Sequence, residues 1–245
     1  MNTLTKPGRR VAACLAALAA SCMSAGVAQA GDGFSPQLVP SAVPIDVHNI
    51  HIVETTQLRK VRLDIDPHTF VGAITFNWKC SSAVNVSLDA YQAVARPDPK
   101  DESKWSFNLA TMSRAFAVEM EKAGYPRYDP DLSLFEARLG SDADYQIGTT
   151  FTKLEFNKCG NHYLNVVKGS AYVAARFELY SPRLQKAVFD KVVEASYRID
   201  EDRAIEDRDF NFLLLKQLVD NLLADPDFAA AYRRSGATAP APVKP

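Results

Sequence analysis

Four cysteines carry the most specific chemistry in this sequence. Cys14 and Cys22 lie in the first part of the chain, so a mature form that loses residues 1–30 keeps only Cys80 and Cys159. Both follow predicted strands, and adjacent strands can bring two Cα atoms to about 5.5 Å, a distance that suits a disulfide. An even number of cysteines in an exported chain favours a bond. We therefore predict a structural Cys80–Cys159 disulfide, with two separate thiols as the alternative.

A pair of acids and the histidines are the candidates for acid–base catalysis or metal binding. Asp142 and Asp144 precede a predicted strand, and a small hydrolase would need them to converge with a base such as His162. Acids at such positions are more often solvated or partner a helix dipole. His48 and His51 lie three apart in a segment without helical period, so their side chains point to opposite faces. The sequence therefore predicts no catalytic site, no metal and no cofactor.

Several large functional classes lack their usual signatures here. The sequence contains no Gly-x-Ser-x-Gly, no His-Glu-x-x-His, no phosphate-binding glycine loop and no dinucleotide fingerprint. Its 28 Lys and Arg residues against 29 Asp and Glu give a net charge of −1, without the basic excess of a nucleic-acid-binding protein. We expect a protein that is not an enzyme and does not bind nucleic acid.

The N-terminal region has the pattern of an export signal. A positively charged start is followed by apolar residues 11–20 and by an Ala-x-Ala cleavage pattern that ends at Ala30. We predict that residues 1–30 are a signal peptide, that cleavage leaves Gly31 as the first residue, and that the mature chain is periplasmic or secreted. Removing three basic residues leaves 28 − 3 = 25 against 29 acids, a mature net charge of −4.

The same region allows a second interpretation, a lipid anchor. Ala19-Ala20-Ser21 precedes Cys22 as in a lipobox, although Ala stands where Leu is usual. Cys22 would then be acylated and would hold the protein to a membrane. Beyond this region no segment approaches the roughly 20 apolar residues of a membrane span, so we expect no transmembrane segment in the mature chain.

Alternation of apolar and polar residues predicts the strands. It marks residues 61–65 and 71–78, and it predicts a long hairpin over residues 170–199. Within residues 145–156 the apolar parity changes, which predicts a bulge or a bend in the strand. Residues 83–95 fit a strand or a helix and stay unassigned.

Two stretches have the apolar period of amphipathic helices. One covers residues 103–123 and ends at Gly124, and the other covers residues 206–224. The apolar stripe of the first helix consists of Trp105, Leu109, Met112, Phe116 and Met120.

These elements predict one α+β domain over residues 59–228. Its largely antiparallel sheet, built from residues 60–80 and 144–199, would be covered by the two amphipathic helices. Residues 31–58 are interpreted as an extended lead-in, and residues 229–245 as an Ala/Pro-rich disordered tail.

Two short patterns carry a resemblance to known proteins. Ala143-Asp144-Tyr145-Gln146-Ile147-Gly148 opens a strand, and Leu222-Leu223-Ala224-Asp225-Pro226-Asp227-Phe228 ends a helix. With the order of elements over about residues 60–228, they resemble the domain that precedes trypsin-like proteases in some secreted bacterial proteins. More distantly, they resemble curli-secretion-channel lipoproteins and lipoprotein activators of penicillin-binding proteins. The resemblance implies an α+β envelope domain, and no catalysis carries over because the protease motif Gly-Asp-Ser-Gly is missing.

These observations favour a non-catalytic exported envelope module that binds or helps assemble a protein partner. The partner would meet a sheet edge or the 170–199 hairpin. Tyr172, Tyr180 and Tyr197 on that hairpin could form an aromatic recognition patch, although cross-strand packing is the more usual role. The alternatives are an outer-membrane lipoprotein acylated at Cys22 with an assembly role, and a small periplasmic hydrolase using the acids near Asp142 and Asp144.

Overall fold

A computed structural model describes residues 35–49, 52, 54–75, 83–95, 107–126, 143–161, 166–199 and 205–236. Several residues singled out in the sequence lie outside these ranges, namely Cys22, Ala30, Gly31, His51, Cys80, Asp142 and His162.

The described residues form an α+β fold with a mostly antiparallel sheet of seven strands, as the sequence predicts. The strands are β1 Thr56–Leu63, β2 Phe70–Thr75, β3 Val84–Ser87, β4 Tyr145–Asn161, β5 Val166–Ser181, β6 Lys186–Ile199 and β7 Ile205–Glu206. The helices are α1 Leu88–Ala95, α2 Leu109–Ala123, α3 Asp207–Leu223 and α4 Pro226–Gly236.

The central strand is β4, which pairs with three other strands. One of its edges is antiparallel to β5 along nearly its whole length. Its other edge pairs in parallel with β1 over residues 145–151 and with β2 over residues 156–159. β3 extends the sheet beyond β2, and β6 extends it beyond β5. The two parallel pairings are a feature that the sequence did not predict.

A bulge in β4 explains its change of apolar parity. The register against β5 shifts between Phe151 and Lys153. Ahead of the shift Ile147 and Phe151 are buried, and after it Leu154 and Phe156 are buried. The extra residue lets both halves of one long strand face the same core, so the predicted bulge is confirmed.

Local signals set the limits of α2. The Asn108 side chain accepts a hydrogen bond of 2.8 Å from the Thr111 amide and caps the first turn. The helix therefore begins later than the predicted residue 103. At its end Gly124 has φ 88, and a Cβ there would lie 2.8 Å from His48, so the conformation and the space both favour glycine.

The second predicted helix is α3, which supplies a large part of the core. Its buried apolar face lies against β5, β6 and α2, and each such side chain contributes about 1.5–3 kcal/mol when removed from water. The fully buried residues are Phe210, Leu214, Leu215, Leu218, Val219, Leu222 and Leu223.

The structure assigns residues 83–95, which the sequence left open, and changes the interpretation of residues 229–245. The unassigned residues 83–95 contain both candidates in turn, because β3 is followed directly by α1. The tail proposed for residues 229–245 is wrong in its first part, where α4 continues to Gly236. Phe228 and Tyr232, four residues apart, are buried at 0% and 1% exposure and hold this helix to the core.

Candidate functional site

Asp144, a candidate for acid–base chemistry, has a structural role. Its Oδ2 accepts hydrogen bonds from the Thr55 amide at 2.8 Å and from the Thr55 hydroxyl at 3.1 Å. These bonds join the residue before β1 to the residue before β4, where the parallel pair begins. The carboxylate therefore fixes the register of two strands.

His48, a candidate metal ligand, is bonded to a neighbouring acid. Its Nδ1 lies 2.7 Å from Asp46 Oδ1, and its amide donates to the same oxygen at 2.9 Å. The hydrogen bond from the His48 amide is the main cause that lowers the pKa of Asp46, and the hydrogen bond with the His48 ring lowers it further. Within the described ranges, no three His, Cys, Asp or Glu side chains group as a metal site.

Cys159 is disulfide-bonded and buried at 7% exposure. It pairs across the sheet with Thr75, the last residue of β2. Cys80 follows Thr75 by five positions, so the chain can reach Cys159 from there. Cys80 as the bonded partner stays a prediction.

The three hairpin tyrosines do not form one patch. Tyr172 is buried at 1% exposure, whereas Tyr180 is 39% exposed. Tyr197 faces the helices, since its ring lies 5.6 Å from that of Phe210 in an edge contact. Packing is therefore the role of Tyr172 and Tyr197.

The face of the sheet turned away from the helices gathers exposed side chains near the β5–β6 turn. Phe177 contacts Phe116 of α2, so its neighbour Arg176 projects to the opposite face. The strand registers then place two rows of side chains side by side on that face. One row is Arg62, Thr150, Arg176 and Val192, and the next is Lys60, Gly148, Glu178 and Asp190. We call these two rows, with Tyr180, the outer surface.

The two acids of the outer surface both lie beside Arg176, a cation of the same surface. Arg176 Nε donates to Asp190 Oδ1 at 2.7 Å, and Arg176 Nη2 pairs with Asp190 Oδ2. The same Nη2 lies 3.8 Å from Glu178 Oε1. The paired guanidinium lowers the pKa of Asp190, and the carboxylate raises the pKa of Arg176. Such a forked pair holds both side chains in one geometry.

Two cations of the outer surface have no such partner. Lys60 and Arg62 are exposed, and neither forms an ion pair with another described residue. Between them and Glu178 lies Gly148, where an added Cβ would meet nothing within 4 Å. The outer surface thus places the exposed cations Lys60 and Arg62 on the β1 side of Gly148, and Tyr180 and Val192 towards its β5–β6 side.

The lead-in covers the other end of the same face. The Gln37 amide donates to Glu155 on β4 at 3.2 Å, and the Val39 amide donates to Ser196 on β6 at 2.8 Å. Asn221 of α3 then accepts from the Ala42 amide and donates to the Glu194 carbonyl at 2.7 Å. These bonds occupy polar groups along one stretch of the β6 edge, which protects it from pairing with another chain.

A buried lysine lies beneath β4. Lys158 is 3% exposed, and its Nζ donates to Asn211 Oδ1 at 2.8 Å and to the Tyr91 hydroxyl at 3.1 Å. The same Nζ lies 5.0 Å from the centre of the Phe210 ring. These contacts compensate for loss of water and join β4 to α1 and α3. The strand alternation of β4 places this position inward, but it did not reveal the partners.

Comparisons with known proteins assign no family. The chain matches no family model and no curated protein. A Xanthomonas campestris protein of the DUF330 family is similar in structure, with 9% identity and a TM-score of 0.37 over 84% of this chain and 99% of the other.

Two further solved structures are similar at the same low level. A candidate lipoprotein from Caulobacter crescentus has 10% identity and a TM-score of 0.28, over 54% of this chain and 85% of the other. A candidate homologue of the neuraminyllactose-binding haemagglutinin from Helicobacter pylori has 10% identity and a TM-score of 0.30, over 83% and 99%. With such values these likenesses carry no argument about activity. Separately, none of the described helices is long and apolar enough to cross a membrane.

Proposed function

We propose that this chain is a non-catalytic exported module of the bacterial envelope that binds a protein partner through its outer surface. The observation that carries the proposal is the juxtaposition of exposed cations and exposed apolar side chains on the outer surface. Val192 is 57% exposed and Tyr180 is 39% exposed, on the same face as Lys60 and Arg62. Large apolar side chains ringed by polar groups are typical of protein-binding surfaces.

The charge of this surface indicates the character of the partner. The mature chain has a predicted net charge of −4, yet Lys60 and Arg62 project from the outer surface without an ion-pair partner among the described residues. An acidic partner segment lying across Gly148 would meet these cations on one side and Tyr180 on the other. Charge complementarity of this kind accelerates encounter and sets orientation.

The location in the envelope rests on the sequence. The export pattern of residues 1–30 and the resemblance to envelope domains both support it. We infer from the same resemblance that the domain serves assembly rather than chemistry.

Site-specific photocrosslinking in the native envelope tests the proposal. A photoreactive residue at Val192 is expected to crosslink to one protein species, and the same residue at Val118 on α2, itself 41% exposed, is expected not to. Adding Lys60→Glu and Arg62→Glu should remove the crosslink at Val192 while the fold is retained by circular dichroism. Equal labelling from both positions, or no crosslink from Val192, would overturn the proposal.

A further inference from the structure

The side of β1 turned away from β4 is an open edge of the described sheet. β1 pairs in parallel with β4 over residues 145–151, and β2 pairs with the same edge of β4 over residues 156–159. β3 extends the sheet beyond β2, whereas no described strand extends it beyond β1. The position beside β1 that corresponds to that of β3 beside β2 therefore has room for one more strand.

The backbone of β1 presents hydrogen-bonding groups to this open edge. The Asp64 amide donates to the Phe151 carbonyl of β4 at 2.8 Å, so the even-numbered residues of 60–64 turn their amides and carbonyls towards β4. Val61 and Leu63 turn theirs the other way. Of the residues that the structure describes, none hydrogen-bonds to these amides or carbonyls. An added strand would find two donors and two acceptors there.

The side chains of this stretch alternate between cations and apolar groups. Lys60 and Arg62 are exposed on the outer surface, whereas Val61 and Leu63 are partly buried against the core on the helix side. In an antiparallel strand added here, the residues opposite the two cations would also lie on the outer surface, with Cβ atoms about 4.5–5.5 Å away. Acidic residues at those positions, alternating with apolar ones, fit this edge.

The same cations disfavour a second copy of this edge as the occupant. Two β1 edges side by side would bring cations of one copy against those of the other, and like charges directly opposite each other destabilise a strand pair. The register shift between Leu58 and Lys60 also shortens the regular part of the edge. Lysines and bulges of this kind protect edges from self-association. An acidic strand is stabilised by the charges that repel a second copy.

We propose that the acidic segment of the partner joins the sheet as an antiparallel strand along the open edge of β1, with its acidic side chains beside Lys60 and Arg62. This inference rests on the proposed function and adds the mode of binding. Strand addition derives affinity from backbone hydrogen bonds and specificity from alternate side chains. The antiparallel direction is favoured because its ladder is slightly more stable per residue. The rest of the partner would cover the outer surface from Gly148 towards Tyr180.

Synthetic peptides test strand addition on the unmodified mature protein. A peptide of alternating Glu and Val is expected to bind, and a peptide of alternating Lys and Val is not. N-methylation of the Val amides should weaken binding more than about tenfold, because these amides face β1 in the antiparallel register and lose their hydrogen bonds. N-methylation of the Glu amides, which face away from β1, is the matched control and should change the affinity less than about twofold.

Variants of β1 identify the edge that the peptide uses. Lys60→Glu combined with Arg62→Glu should weaken binding of the Glu–Val peptide about tenfold, because two attractive charge pairs become repulsive. Val61→Pro removes an amide that faces away from β4, so it should weaken binding while β1 stays paired with β4. Val61→Ala keeps that amide and is the matched control. Circular dichroism establishes that each variant is folded.

Two results would overturn strand addition at β1. One is failure of the Glu–Val peptide to bind, or equal binding of the two methylated peptides. This measurement uses the unmodified chain, so it decides the matter even if Val61→Pro does not fold. The other is an unchanged Val192 crosslink in folded Val61→Pro in the envelope, which would leave the proposed function standing. A missing Val192 crosslink in the unmodified chain would instead reject the proposed function, and the peptide pattern would still decide whether β1 accepts a strand.

Discussion

At the scale of single residues, Lys158 shows how β4 joins two layers. An ammonium group inside a protein is costly unless it is hydrogen-bonded, and here Asn211 Oδ1 and the Tyr91 hydroxyl accept hydrogen bonds from it. Both acceptors lie on helices, so the lysine acts as a polar connection through an apolar core. The surroundings of Lys158 were not predictable from the nearby sequence, because they come from segments distant in sequence.

The first prediction concerns this connection. Lys158→Met keeps the apolar stem but removes the donor to Asn211 and Tyr91, so the free energy of unfolding should fall by about 1–3 kcal/mol. Urea unfolding monitored by fluorescence measures the change. Lys60→Met, at an exposed position, should alter stability by less than about 0.5 kcal/mol. A similar loss in both variants would contradict the structural role of Lys158.

The second prediction concerns the remaining cysteine pair. Thiol titration of the denatured, unreduced mature protein should find essentially no free thiol. Cys80→Ser should expose one thiol and lower the free energy of unfolding by about 4 kcal/mol, because opening a loop of roughly 80 residues restores chain entropy to the unfolded state. Two free thiols per unmodified chain would show that Cys159 does not bond to Cys80.

At the scale of elements, α4 shows where composition misleads. The region is rich in Ala, which suggested a tail. However, two buried aromatic side chains, Phe228 and Tyr232, hold it to the core as a helix. Phe228 packs its ring 5.2 Å from that of Phe189, and Tyr232 packs 4.8 Å from that of Tyr145. The Tyr232 hydroxyl is also 2.5 Å from Thr56 Oγ1, which lets a phenol be buried.

The third prediction concerns these two aromatic side chains. Phe228→Ala should lower the free energy of unfolding by about 3–5 kcal/mol, since it opens a cavity in a fully buried site. Tyr180→Ala, at a half-exposed aromatic position, should cost far less in the same thermal or urea measurement. If the two variants unfold alike, α4 is not part of the core.

Elements with a strong local period were predictable, and so was the β5–β6 hairpin, but the parallel pairings of β4 were not. The stripe of α2, the Leu-rich face of α3 and the parity change near Phe151 all lie within short stretches of sequence. The parallel pairing of β1 with β4 depends on contacts such as Thr55 with Asp144, which are 89 residues apart. Nothing local to either segment specifies that partner. The outer surface was missed for the same reason, since it gathers side chains from four strands.

At the scale of the whole molecule, the N-terminal region decides how the domain meets the envelope. The fourth prediction is that the exported protein begins at Gly31 and partitions into the aqueous phase of a detergent extraction, because the lipobox before Cys22 lacks its usual Leu. N-terminal sequencing and phase partitioning measure both properties. A Cys22→Ser variant should behave identically. A detergent-phase protein that becomes aqueous in that variant would establish the lipid anchor instead.

The position of β4 between strands from both halves of the chain has a consequence for the order of folding. β1 and β2 come first in the chain, but the edge on which they pair is supplied by β4, about 80 residues later. The lead-in depends on a still later segment, since the Ala42 amide donates a hydrogen bond to Asn221 Oδ1, 179 residues further on. Distant contacts of this kind slow folding. We therefore predict that the β4–β5–β6 hairpins form first and that β1 and β2 pair with β4 later.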